Sequence, residues 1–239
     1  MRKLTLPKGQ GSFNSRTSHC EFCNEFSGYS DNAFHALYHG IVRDRGLFTT
    51  ENFRIFPSIG QIVEGYLLIA PIAHFRSLDE LPTILCSELI LLHDRVKRAV
   101  ASGYGPCISY EHGTQSSLSG GCGIYHAHLH VLPLPPSLDP IDSLKSCFPH
   151  RRIRGLSEIK EQSNGMSGYI FYEDSDSRAH LFDTPKLESQ YMRRILATML
   201  GEHDWNWRAA GREERLLATL NRLSGHFDKL RFSATTHSK

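Results

Sequence analysis

The row Tyr125-His126-Ala127-His128-Leu129-His130-Val131-Leu132-Pro133 restricts what this chain can become more than any other stretch of it. Side chains of an extended strand alternate between its two faces, so this spacing puts three imidazoles on one side and Ala127, Leu129 and Val131 on the other. One face is set for chemistry and the other for a core. With 14 histidines in 239 residues, a row of this kind arises by chance roughly 0.05 times per chain. The residues alone leave two readings open. One is a metal-stabilised or merely polar strand, because histidine is both a common metal ligand and a common base. The other is nucleophilic catalysis by a neutral imidazole. That chemistry needs a neighbour to hold the second ring nitrogen in one tautomer, and donors or a cation for the oxygens of a phosphate.

Length and composition set the bounds. A chain of 239 residues, 40% hydrophobic, can bury one good core and a second, smaller layer. A net charge of +2 is too mild to attract nucleic acid or a membrane through bulk electrostatics, so any anion must be bound locally. No apolar run approaches the ~18 residues of a bilayer span, and the opening Met1-Arg2-Lys3-Leu4-Thr5 lacks the apolar region of a signal peptide. The expectation is a cytoplasmic protein. Six cysteines in a chain this long do not make a disulfide framework, and only Cys20 and Cys23 have metal-ligand spacing.

Residues 1–17 are polar and Gly/Ser-bearing, which predicts a flexible N-terminal arm. The Cys20-x-x-Cys23 pair by itself fits half a zinc site, a redox pair or chance. A polar arm before it and a turn-like stretch over 24–32 favour metal, and with no second CxxC the remaining ligands would be histidines. Residues 52–57 and 65–71 read as strands. Ser77-Leu78-Asp79-Glu80 has capping-box spacing, Pro82 suits a first helical turn, and Leu85, Leu89, Leu92, Val96 and Val100 form a helical stripe that ends by Gly105-Pro106. His93, at the edge of that stripe, reads as a core histidine. Cys107-Ile108-Ser109-Tyr110 reads as a strand leading to Glu111-His112-Gly113 and a Gly/Ser-rich segment through Gly123. That segment suits a loop presenting backbone N–H groups to an anion, or a plain hairpin connection. Cys122, in a loop beside a strand, lacks the usual setting of a catalytic thiolate. Further on, 168–172 and 179–182 predict a hairpin. Leu187, Tyr191, Ile195 and Met199 predict one amphipathic helix, and Leu216, Leu220, Leu223 and Phe227 another. Arg193 and Arg194 read equally as a bidentate polyphosphate clamp and as solvated helix charges.

The His-x-His-x-His row with the apolar residues and Pro133 around it resembles the signature of the histidine triad (HIT) superfamily, with relatives among diadenosine polyphosphate hydrolases and galactose-1-phosphate uridylyltransferases. That resemblance implies a nucleotidyl hydrolase or transferase acting at the α-phosphate of a nucleotide conjugate or dinucleoside polyphosphate. Catalysis would pass through a nucleotidyl-histidine on His128, with His130 as its phosphate-side partner. It implies a structural zinc on Cys20, Cys23, His74 (in Pro71-Ile72-Ala73-His74) and His126. It puts Phe56, Pro57 and Ser58 on the nucleoside wall, and Glu111, Ser116, Ser117, Ser119, Gly121 and Gly123 around the phosphates, with Arg193 reaching in from the C-terminal part. Ser58 stands where many members carry a ribose-gripping Asp, and Tyr66 where they carry a histidine. Similar members form homodimers. The implied fold is α+β, an antiparallel sheet of about five strands with a long packing helix. The implied organisation is an arm over 1–17, a catalytic domain over 18–139, and a C-terminal hairpin-plus-helices extension over 140–239. A phosphorylase or specialised transferase, and a nucleotide-binding regulatory protein with little turnover, are the alternatives; neither nucleic acid nor membrane is expected as a partner.

Overall fold

A computed structural model describes residues 20–114 and 123–234. The expected N-terminal arm over 1–17 lies outside the described residues. Eight strands among the described residues pair into one antiparallel sheet: β1 (Phe48–Thr49), β2 (Phe53–Pro57), β3 (Leu67–Pro71), β4 (Cys107–Thr114), β5 (Leu129–Pro133), β6 (His150–Ile153), β7 (Gly168–Glu173) and β8 (Ala179–Asp183). Their order across the sheet is β1-β2-β3-β5-β4-β7-β8-β6. The helices are α1 (Glu21–Phe26), α2 (Ala33–Tyr38), α3 (Thr83–Tyr104), α4 (Ile141–Cys147), α5 (Ile159–Gln162), α6 (Tyr191–Met199) and α7 (Glu213–Ala234). The architecture is α+β, as the resemblance implied, with a larger sheet. The C-terminal hairpin β7–β8 continues the sheet edge to edge by pairing β7 with β4, Tyr110 opposite Tyr172.

The sheet separates two apolar layers. On one side, Ala127, Leu129 and Val131 pack with Leu89, Leu92, Val96 and Val100 of α3 and with Leu223 and Phe227 of α7. Each of the leucine, valine and phenylalanine side chains contributes about 1.5–3 kcal/mol relative to exposure. The other side carries Phe22 of α1, Phe56, Tyr66, Leu68, Tyr110, Tyr172, and Met192 and Leu196 of α6. The period of two predicted for the histidine row is therefore realised, although ladder pairing begins only at Leu129. His130 sits between Leu68 of β3 and Tyr110 of β4 in the register.

Helix α3 begins at Thr83 with Pro82 as its N-cap; the capping-box residues instead form a single 3-10 turn, Leu78–Glu80, in which Ser77 bonds Asp79 rather than capping a helix. The helix stops at Gly105, φ +98°, a backbone conformation that glycine adopts without strain. Cys20 caps α1, so the CxxC does open a short helix, and the argument for metal from its turn-like context does not hold. The charged edge strand β6 had no sequence expectation.

The segment between α6 and α7 closes over the β2–β3 turn. Gly60, φ +55°, permits this approach: a Cβ there would run into the Ala210 carbonyl and lie 2.9 Å from the Trp207 backbone. Its N–H donates to the Tyr38 hydroxyl at 3.0 Å, and that hydroxyl in turn donates to Gly211 O. The C-terminal elements thus roof the histidine face.

Candidate active site and metal centre

Three buried histidines project from β5 and the residues leading into it. His128 Nδ1 lies 2.6 Å from the His126 carbonyl oxygen. A carbonyl only accepts, so Nδ1 carries the proton and Nε2 the lone pair. Burial pushes the His128 imidazole down to about 4, so the ring is neutral near pH 7. The His130 ring packs 4.5 Å from that of His128 and stacks on Tyr110 at 4.2 Å. Its Nδ1 meets the Tyr66 hydroxyl at 2.8 Å, and Tyr66 bonds the Tyr110 hydroxyl. Desolvation holds His130 well below the ordinary imidazole value. Tyr66 is therefore a direct partner of the row.

His128 and His130 line a cavity of about 30 Å³, floored by Tyr110 and His112 and walled by Ser58 and Phe22. Gln190, Arg193 and Trp207 form its roof. Among the described residues this volume is well below the roughly 300–1,000 Å³ of a typical ligand pocket. Arg193 is 5% exposed. Its guanidinium donates to the Gly60 and Trp205 carbonyls and, at 3.4 Å, to Ser58 Oγ, and lies over the Tyr66 ring. Among the described residues no carboxylate forms an ion pair with it, which leaves a buried cation compensated only by dipoles and a ring face. Arg45, on the opposite wall, is neutralised by Glu25 at 2.6 Å.

Beneath this pocket Cys20, Cys23, His74 and His126 place their ligand atoms within 4.8 Å of one another. Cys20 Sγ is 3.4 Å from His126 Nδ1, and Cys23 Sγ is 3.3 Å from His74 Nδ1 and 3.6 Å from His126 Nδ1. These are separations expected between ligands of one tetrahedral ion with bonds of about 2.0–2.3 Å. His126 Nε2 lies 2.8 Å from the Pro71 carbonyl, which fixes its proton there and leaves Nδ1 for a metal. The hydrogen bond from Cys23 holds the Cys20 thiol far below its usual range, as a thiolate ligand requires. The donor set fits zinc and joins α1, the turn after β3 and the base of β5.

Of the residues proposed for substrate, Ser58 and Arg193 line the pocket. Phe56 is wholly buried behind it, edge-on to Phe22 at 5.3 Å, and Pro57 accepts Arg45 through its carbonyl. Gly123, φ +81°, accepts from Arg208 at 2.8 Å beside the roof segment. Ser116, Ser117, Ser119, Gly121 and Cys122 lie outside the described residues. Glu111 is not brought to the pocket. It points to the opposite face, where its carboxylate accepts from Leu78 N–H and the Tyr169 hydroxyl, each at 2.7 Å. Its neighbour His112 lines the pocket instead. Continuing the period of two from Tyr110 would have found it. Gln190 and Trp207 also line the pocket.

Structures to which this chain is similar include a HIT family protein from Bacillus subtilis, at 19% identity over 48% of this chain and 72% of that one, with a TM-score of 0.38. A zinc-bound histidine triad family protein from Mycobacterium smegmatis is similar at 21% identity over 49% and 76% of the respective chains, TM-score 0.37. A hypothetical histidine triad nucleotide-binding protein from Sulfolobus tokodaii is similar at 14% identity over 86% and 97%, TM-score 0.34. Among curated proteins, the chain is 27% identical over 150 residues to CWF19-like protein 1 of Homo sapiens and, equally, of Pongo abelii, a match covering 58% of this chain. The chain spans about a quarter of the length of those relatives, 26%. No family model matches the sequence.

Proposed function

We propose that this chain is a member of the histidine triad superfamily that cleaves a nucleotide conjugate or dinucleoside polyphosphate at its α-phosphorus, through a nucleotidyl-histidine on His128. The observation that carries this reading is the His128 Nδ1 contact to the His126 carbonyl. It presets the tautomer a nucleophile needs, in a buried ring at the wall of a pocket that also holds His130 and an uncompensated Arg193. In the first step Nε2 forms a bond to phosphorus as the bond to the leaving-group oxygen breaks. That oxygen departs with the electron pair and takes a proton from solvent. In the second step water, phosphate or another acceptor hydroxyl attacks phosphorus, loses its proton, and returns the electron pair to Nε2. His130 and Arg193 face the charge that develops on the phosphate oxygens. Zinc on Cys20, Cys23, His74 and His126 would hold the frame that orients the His126 carbonyl.

His128→Ala is expected to lose at least about a thousandfold in nucleotide cleavage while unfolding at the wild-type temperature. Wild-type cleavage in that variant would overturn the mechanism. The alternative reading is a nucleotide-binding protein with little turnover. Product analysis separates the readings: oxygen from water in the product marks a hydrolase, labelled phosphate in the product a phosphorylase, and tight binding without product a sensor.

A further inference from the structure

His112 belongs to none of the roles assigned so far, although its ring shares the pocket with His128 and His130, 6.3 Å from the latter. Its position is clamped by its neighbours in β4. On one side the Glu111 carboxylate is held by Leu78 and Tyr169 on the far face of the sheet. On the other, Gly113 lies flat on the Tyr169 ring, where any Cβ would overlap the ring atoms. Alternation then leaves His112 only one way to point, into the pocket.

The tautomer follows from the roof helix. Met192 is the second residue of α6, and the first N–H groups of a helix have no partner within it. The Met192 N–H donates to His112 Nε2 at 3.4 Å. A backbone N–H can only donate, so Nε2 is the acceptor and the ring proton is on Nδ1. That Nδ1 is buried and has no hydrogen-bond partner among the described residues. Burial keeps the ring neutral, with its imidazole pushed down to about 3. The contrast with His93 is informative. That ring is equally buried on the other face of the sheet, but it is bonded to Ser109 at 2.7 Å, as a purely structural histidine should be. His112 instead lines the pocket with an Nδ1–H that is bonded to no acceptor among the described residues.

We propose that His112 is a further catalytic residue, which donates its Nδ1–H to a phosphate oxygen of the bound nucleotide opposite the nitrogen of His128 that attacks phosphorus. The contact is a hydrogen bond in both steps of turnover and transfers no proton. It deepens the nucleotidyl-transfer reading and rests on it. It also gives the C-terminal part a task, since α6 supplies the N–H that selects the donor tautomer.

The test uses the full chain, the nucleoside 5′-monophosphate that binds it most tightly, and the matching nucleoside. His112→Phe is expected to weaken monophosphate binding by about 10- to 100-fold, while His112→Asn, which keeps a donor, stays within about tenfold of wild type. Nucleoside binding is expected to be unchanged in both. Equal losses for nucleoside and monophosphate would reduce His112 to a structural part of the wall, and wild-type affinity in the Phe variant would remove the contact; either overturns the proposal, as does a wild type that binds no monophosphate. Should the Phe variant fail to fold, nitrogen-15 spectra of the wild-type histidines decide. The proposal requires a His112 Nδ1–H that shifts on adding the monophosphate, and an Nε2–H tautomer or an unmoved signal refutes it. Cleavage retained by His128→Ala with these binding results intact would discard the nucleophile and keep the phosphate contact.

Discussion

Replacing Glu111 with glutamine separates the role the resemblance implies from the one the fold imposes. Burial is the largest influence on this carboxyl and lifts it from 4.5 to about 8, against the opposing hydrogen bonds from Tyr169 and Leu78. Between those two values the folded protein keeps a proton that the unfolded chain has lost. The folded state therefore binds more protons, and stability falls as pH rises through the window. At 1.36 kcal/mol per tenfold change in proton affinity, the full effect is on the order of 4–5 kcal/mol. Glutamine has no proton to lose, and its amide can accept from Leu78 and donate to Tyr169, so the variant lacks this dependence. Urea unfolding of both proteins from about pH 5 to about pH 8.5, at fixed metal content, should show the variant gaining several kcal/mol on the wild type toward the alkaline end. Parallel profiles would refute the reasoning. The cleavage rate of the variant should stay within about threefold of wild type, because the carboxylate faces away from the pocket. A loss of a hundredfold or more would put Glu111 back among the phosphate ligands.

Other outcomes follow from the same geometry. Cys20→Ser should reduce bound zinc from about one per chain to near zero by metal analysis, and lower the melting temperature of the metal-loaded protein. Gly113→Ala should destabilise the fold by about 1–3 kcal/mol or more in thermal unfolding, because the added Cβ overlaps the Tyr169 ring. His93, held neutral by burial with its imidazole near 3, binds fewer protons folded than unfolded between 3 and 6.5. Its contribution is therefore complete above pH 6.5 and is lost as pH falls toward 3, and His93→Gln should flatten that acid limb in unfolding titrations.

What the sequence revealed follows from how local each signal is. The histidine row was legible because a period of two needs only neighbouring residues, and its two faces contact the two layers it indicated. The stripe of α3 was legible for the same reason. β6 was not, because His150-Arg151-Arg152 are exposed on a sheet edge and carry no apolar alternation; charge there guards an open edge rather than marking a core. Nor was the join between halves, since Tyr110 meets Tyr172 through a pairing that no local pattern encodes. The grouping of Cys20, Cys23, His74 and His126 was legible from cysteine spacing together with the family resemblance, but not from the context of the pair, because Cys20 caps a helix that its turn-like composition hid.

Glu111 is a different case. β4 does not stop at Tyr110 but runs to Thr114, so its alternation governs the next residues as well. The resemblance matched Glu111 to a phosphate-contacting position without regard to that alternation. Kept within the strand, the same residues divide cleanly. Glu111 and Gly113 lock against Tyr169 on the helix side, and His112 faces the other histidines. Where the strand is taken to end thus decides between a buried structural acid and a pocket-facing histidine at neighbouring positions. The Glu111 and His112 variants measure the two sides of that exchange independently, one through stability against pH and the other through phosphate affinity.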